Sequence, residues 1–349
     1  MDLFDFYTEK DKKLNCKINA IDLFAGAGGL TLGLEEAGIN VVGFVEYWKP
    51  SIETHLKNFP KSHLLGEDIT KLSDEDIKKI KSNFNIDMVV GGPPCQGFSF
   101  AGKRELNDPR NNLFLEFVRF VNIIKPKYIL LENVFGMYTM KDDNGNRVTE
   151  IVKSEFKKIG YNIECYLVSA DNFGVPQARK RVIFLGNNIG EKLPSNLEWK
   201  LSKKHTFRDA CGDLKSLKSG EKSSDKYHFS QKHNERHIKW LKVTPEGKSA
   251  HENKDPEFRP PSGYKTTYKR MYWDKPAPAV TTCFSSISSQ NNVHPKDTRA
   301  ISIREALRLQ SFPDYFEWCG STTDIRKQIG NAVPPLLAKR IILSWLKEK

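Results

Sequence analysis

Residues 91–99 read Gly-Gly-Pro-Pro-Cys-Gln-Gly-Phe-Ser and follow the run Ile86-Asp87-Met88-Val89-Val90. One thiol, Cys95, therefore stands on a Pro-Pro turn at the end of a strand expected to be buried. Each proline fixes its own φ and restricts the residue before it, so the side chain is aimed rather than free. A thiol held this way beside a glycine-rich loop suits covalent, nucleophilic chemistry. A second reactive group lies in Glu132-Asn133-Val134, which closes the apolar run Tyr128–Leu131. A carboxylate at a buried strand end is costly to ionise and can hold or donate a proton; a solvated turn residue is the plainer alternative. Gln177-Ala178-Arg179-Lys180-Arg181 precedes the strand Val182–Leu185, and alternation puts Arg179 and Arg181 on one side. Two guanidiniums aimed together suit an anionic or carbonyl-rich ligand, unless they form a surface ion pair.

The segment Asp22-Leu23-Phe24-Ala25-Gly26-Ala27-Gly28-Gly29-Leu30 runs from a strand through a glycine turn into a helix. Glycines let a backbone approach a ligand closely. The spacing is not Gly-x-Gly-x-x-Gly, so a pyrophosphate dinucleotide is not the first expectation. Glu46 ends the second strand, where a carboxylate can bind two ribose hydroxyls. Tyr47 can stack on an adenine, with the adjacent Trp48 as the alternative. Asp68-Ile69 follows the third strand, where an acid can accept an adenine amino proton. Together these residues read as a nucleoside site.

Positioning such groups requires a sheet. Strand patterns fall at 18–24, 41–46, 63–65, 86–91, 127–132, 161–169 and 181–186, and helical patterns at 30–38, 48–58, 74–82, 112–124 and 148–159. This alternation predicts an α/β fold with a doubly wound, mostly parallel sheet. Ligands of such sheets bind at the carboxyl ends of the strands, so Cys95, Glu132 and the glycine loop should face one crevice. The polar segment Phe98–Asn112 is a candidate lid. After Gly186 the rhythm breaks into a smaller, irregular, partly β module, and helical patterning returns at Ser302–Gln310 and Ala332–Lys347. The expected organisation is a catalytic and cofactor-binding domain over 1–186, a smaller irregular domain over 187–297, and a segment over 298–349 that returns to the first.

The composition, 38% hydrophobic and 28% charged, contains no apolar run near the ~20 residues of a membrane span. The charged stretch 1–13 lacks a secretory core, so a cytoplasmic protein is expected. Six cysteines without a Cys-x-x-Cys pair argue against structural zinc and a disulfide framework. The net charge of +12 is uneven. Residues 187–297 hold 21 Lys/Arg against 13 Asp/Glu, a net +8, and six of the eight histidines. Clustered cations suit a polyanion, although a merely solvated basic face would look the same.

The segments together resemble the C5-cytosine DNA methyltransferases of bacterial restriction-modification systems. The likeness spans about 20–186 and 299 to the end. It rests on Asp22–Gly33, Glu46, Gly91–Ser99, Asp108–Leu113, Glu132–Val134, Gln177–Arg181, Arg304–Asp314 and Gln328–Pro334. Phe207–Leu214 and Arg270–Thr282 look like parts of the family's target-recognition region. The resemblance implies a Rossmann-like fold that uses S-adenosylmethionine as methyl donor and no metal. Phe24, Gly26, Gly28 and Gly29 would line the donor, Glu46 would hold its ribose, and Tyr47, Asp68 and Ile69 its adenine. Pro93, Leu113, Asn331 and Val333 would complete that site. It further implies that the Cys95 thiolate adds to C6 of a cytosine while Glu132 hydrogen-bonds N3 and the exocyclic amine. Arg179 and Arg181 would fix the ring carbonyl and a nearby phosphate or carboxylate. The implied partner is double-stranded DNA, from which the cytosine is flipped at roughly a few kcal/mol. A cognate restriction endonuclease acting on the same site, without a stable complex, and a monomeric state are also expected. Two alternatives share the fold: a transfer-RNA methyltransferase, and a non-catalytic DNA-binding regulator. An oxidoreductase is excluded mainly by the glycine spacing and Cys95.

Overall fold

The computed structural model describes residues 11–15, 17–94, 112–142 and 144–346. Its strands are β1 (Asn19–Leu23), β2 (Asn40–Val45), β3 (His63–Gly66), β4 (Met88–Gly91), β5 (Tyr128–Val134), β6 (Asn162–Ser169), β7 (Gln177–Ala178), β8 (Lys180–Asn187) and β9 (Ala277–Pro278). Seven of them form one sheet in the order β3-β2-β1-β4-β5-β8-β6. Strands β1 to β5 pair in parallel, and β8 runs antiparallel to β5 and β6. The expected doubly wound, mostly parallel sheet is present. Its strand order reverses between β1 and β4, the place where such sheets open a crevice beyond their carboxyl ends. The loops leaving those two strands are the glycine turn and the Gly-Gly-Pro-Pro segment.

The two-residue period of the strands sorts their side chains into two layers. Ala20, Met88, Val90 and Leu130 join one layer, beneath the helices Gly29–Ala37 and Pro335–Leu346. Ile21, Val89, Ile129 and Leu131 join the other, beneath Asn112–Ile124 and Val148–Lys158. The helix Gly29–Ala37 lies between two left-handed glycines, Gly28 (φ 94) and Gly38 (φ 98), and Gly38 donates to its last carbonyls. At Gly33 a Cβ would fall 2.5 Å from Ala338 Cβ and from the Pro335 carbonyl oxygen. That missing side chain lets the C-terminal helix lie directly on Gly29–Ala37.

Over 187–297 the β content amounts to β9, paired in parallel with β7, and isolated bridges such as Lys222–Phe229 and Ser249–Lys269. Buried arginines replace strand ladders as the partners of loop carbonyls. The Arg270 guanidinium donates to the carbonyls of Leu241, Thr244, His294, Lys296 and Asp297 at 2.7–2.9 Å. Fully buried Arg299 bridges Asp297 and Glu305 at 2.8 Å each. Burial alone would raise the Glu305 carboxyl, but Arg299 outweighs it and holds the group down at about 2. A third core joins Ala27, Leu32 and Phe59 to Phe207, Val280 and Phe284 and to Ile301–Ile329. The helix Thr322–Asn331 was not expected from apolar patterning, because its face is mixed. Its signal was the capping box of Ser321 and Asp324.

Candidate active site

Glu132 lies on β5 opposite Ile183 of β8, and Arg181 pairs with Val134 two positions along. Side chains two apart share a face, and the Arg181 Nε stands 2.6 Å from Glu132 Oε1, both groups almost buried. The carboxylate thus has a cationic partner inside an almost buried site. Its other oxygen faces the β4 exit: a Cβ at Gly92 would lie 3.2 Å from Glu132 Oε2. Asn133 ties the same two strand ends together, donating from Nδ2 to the Pro93 carbonyl at 3.1 Å. Glu132, Arg181 and the Gly-Gly-Pro-Pro turn therefore converge. Cys95, the next residue after Pro94, lies outside the described residues, as does most of the expected lid Phe98–Asn112.

Arg179 is placed differently from Arg181. It is buried, and its terminal nitrogens donate to the carbonyls of Val280 (2.6 Å) and Gly330 (2.9 Å). These are segments 101 and 151 residues away in the chain. Gln177 reinforces the link, accepting from the Val280 amide and donating to the Leu309 carbonyl and to Gln310. This arginine joins the start of β8 to two later segments, a role sequence spacing does not reveal.

Beyond β1 the backbone turns tightly. Phe24 takes φ 60, a left-handed conformation that is uncommon outside glycine. Gly26 follows at φ 56, with no atom of the other described residues within 4 Å of the place a Cβ would occupy. Gly29 is needed for the opposite reason, since a Cβ there would meet the Val333 carbonyl oxygen at 2.3 Å. That approach brings Val333, half-buried, to the glycine loop, and Asn331, exposed, ends the neighbouring helix. Glu46 accepts from the amides of Gly26 and Trp48, both at 2.8 Å. Burial raises its carboxyl above the ordinary value, against the pull of those amides. Tyr47 is 76% exposed, whereas Trp48 is half-buried and lies under Lys327, 5.8 Å from the ring centroid. Tyr47 is the more open ring of the two. Asp68 accepts from the Thr70 amide and hydroxyl. The side chains of Ile69, buried, and Leu113, half-buried, pack into the core on one face of the sheet.

Two buried polar groups near this loop escaped the sequence reading. Asp22 on β1 is fully buried, with Oδ2 accepting from Thr31 at 2.7 Å and Oδ1 without a hydrogen-bond partner among the described residues. Burial, opposed by Thr31 and aided by the charge of Glu46, lifts its carboxyl to about 7. His55 is fully buried and stacks on Phe44 at 3.8 Å between centroids. Burial pushes it down to about 3. Only the Asp-Leu-Phe-Ala-Gly segment hinted at Asp22, and nothing local marks His55.

Residues 18–347 match the C-5 cytosine-specific DNA methylase family. The chain belongs to that family. It is 37% identical to the Type II methyltransferase M1.HphI of Haemophilus parahaemolyticus, over 94% of this chain and 86% of the relative. It is 33% identical to M.DdeI of Desulfomicrobium norvegicum, over 95% and 89%. Among solved structures it resembles an Escherichia coli prophage protein described as a DNA modification methyltransferase, with TM-score 0.75, 27% identity, and coverage of 94% and 98%. The chain is a DNA (cytosine-5-)-methyltransferase of the kind found in restriction-modification systems. The methyl donor of this family is S-adenosylmethionine. The open space at Gly26, the half-buried Glu46 carboxylate and the exposed Tyr47 ring fit an adenosyl group. Among the described residues no cluster of His, Cys, Asp or Glu could hold a metal ion, and no helix is long and apolar enough to cross a membrane.

Proposed function

We propose that this chain methylates C5 of a cytosine flipped out of a specific duplex DNA sequence, and so protects host DNA against a cognate nuclease. The observation that carries the reading is the Glu132–Arg181 pair at 2.6 Å, held against the turn that leads to Cys95. Cytosine C5 is a weak nucleophile and must first be made electron-rich. The Cys95 thiolate adds to C6, forming an S–C bond and pushing the ring electrons toward N3 and C5. In this step Glu132 acts as the carboxylic acid, donating its proton toward N3 and accepting from the exocyclic amine, so that a proton meets the negative charge developing at N3. Arg181 orients that carboxyl group and reaches the ring carbonyl, while Arg179 positions the start of β8, which carries Arg181. Bound S-adenosylmethionine supplies the electrophilic methyl group. Loss of the C5 proton to a base then restores the double bond and expels the thiolate.

The cofactor residues have divided tasks. Gly26 leaves room for the donor, Glu46 takes its ribose, and Tyr47 stacks on its adenine beside Asp68 and the Ile69 backbone. Phe24, Gly28 and Gly29 shape the loop, and Pro93, Leu113, Asn331 and Val333 close the remaining sides. Residues 187–297, with their basic excess, carry the choice of target. Transfer of labelled methyl groups to duplex DNA and to transfer RNA tests the reading, with incorporation expected only into DNA. Incorporation into transfer RNA alone contradicts it.

A further inference from the structure

Gln310 and Ser311 follow directly on the helix Ile303–Leu309, and both are buried. Gln310 donates from Nε2 to the Ile329 carbonyl at 2.5 Å and to the Ala332 carbonyl at 3.5 Å. Both carbonyls lie where the helix Thr322–Asn331 ends and intrahelical donors run out. The carbonyl of Gly330, next to Ile329, is taken by Arg179. Through Oε1 the same Gln310 accepts from Gln177 at 2.9 Å, and Gln177 stands two residues before Arg179. The bonds close a ring, Gln177–Gln310–Ile329–Gly330–Arg179, whose members are all buried. Gln177 spends its remaining bonds on the Leu309 carbonyl and the Val280 amide, so every polar atom of the two side-chain amides is used. A buried network satisfied in this way holds one geometry.

Ser311 takes φ 62, a left-handed conformation that a non-glycine residue keeps only where its surroundings demand it. In that pose its hydroxyl accepts from the Leu336 amide at 3.1 Å, near the start of the helix Pro335–Leu346. Gln310 and Ser311 thus bracket the turn 332–334 from its two ends. That turn carries Val333, whose carbonyl closes on Gly29, and it adjoins Asn331. It is the donor side of the crevice. Gln177 leads the other way, through Arg179 to Arg181 and its partner Glu132, the target side. Gln310 is the residue bonded to both.

We propose that Gln310 is a positioning residue for methyl transfer, fixing the donor-side turn against the strand that carries Arg181. The proposal rests on the reaction argued above. Transfer needs the sulfonium methyl and C5 in line and near contact, so a shift of about 1 Å between the two sides costs on the order of 100-fold in rate. Each side alone survives such a shift: Gly26, Glu46 and Tyr47 hold the donor without Gln310, and Cys95 and Glu132 activate the cytosine without a donor. Thiolate addition to C6 makes C5 basic. C5 then takes a proton from water and loses its original hydrogen as the thiolate leaves, so target duplex tritiated at C5 releases tritium with no donor present. Single-turnover methyl transfer and donor-free tritium release, both measured below the melting temperature, separate the two sides. In Gln310→Met transfer should fall on the order of 100-fold, while tritium release and S-adenosylmethionine affinity stay near wild-type values. Ser311→Ala loses a single hydrogen bond at the same turn and should show the same imbalance at smaller size. A wild-type ratio of transfer to release in folded Gln310→Met overturns the proposal. If that variant does not fold, a wild-type ratio in Ser311→Ala overturns it. Equal loss of both rates overturns it too, since that marks a general loosening of the fold. Absence of transfer or of release in the wild type would instead remove the reaction itself.

Discussion

Two glycines three residues apart in the same turn should respond oppositely to one methyl group. At Gly26 an added Cβ meets no atom of the other described residues, and among these only the left-handed φ opposes it, at about 1–2 kcal/mol. Gly26→Ala should therefore fold, with a modestly lower melting temperature, but lose S-adenosylmethionine affinity because the methyl group occupies the open space. Gly29→Ala pushes against the Val333 carbonyl and should destabilise the fold by about 1–3 kcal/mol. Calorimetry and thermal melts on both variants check this; unchanged cofactor affinity in Gly26→Ala contradicts the cradle. His55 gives a pH signature. Its folded value of about 3 lies below its unfolded value near 6.5, so between them the unfolded chain binds the extra proton and stability falls as pH falls. His55→Phe keeps a ring against Phe44 and removes that proton. From pH 7 to 5 the wild type should lose about 2 kcal/mol more than the variant, as measured by urea unfolding. Equal losses would show that the imidazole is not buried as described.

Among elements, the join between β8 and the later chain is the most exposed to a single change. Arg179 satisfies the Val280 and Gly330 carbonyls from the strand edge. Arg179→Met should leave both buried and unpaired, costing about 2–4 kcal/mol together with most activity. Arg181→Met touches Glu132 alone of the site's acids and should cost turnover with far less stability. Wild-type stability in Arg179→Met, read by denaturant unfolding, contradicts the joining role. Sequence reasoning located these two arginines but gave them one shared task, because alternation fixes a side and not a partner. The strands and helices of residues 19–187 were legible for a simple reason: each carries its own period and is bounded by Gly, Pro or a capping residue. The irregular module was not. Its loops are held by Arg270 and Arg299 reaching across the chain, and no local pattern encodes such reach. Asp22 and His55 were hidden similarly, since a titratable residue on a strand or helix does not announce its burial.

For the whole molecule, the charge distribution and the site make separate claims. Exchange of residues 187–297 for those of a relative with another target should move the methylated sequence while leaving cofactor affinity intact. An active chimera that keeps the original target contradicts the assignment of target choice to this region. The chemistry itself rests on Cys95 and Glu132, and one measurement reaches it most directly. Target duplex carrying 5-fluorocytosine blocks the last step, because fluorine cannot leave as a cation where a proton could. With S-adenosylmethionine present, the enzyme should stay bonded to this DNA through denaturing electrophoresis, and the adduct should map to Cys95. Without the methyl donor, or in Cys95→Ala, no such adduct should accumulate. An adduct at another cysteine, or methyl transfer by Cys95→Ala, would contradict the account.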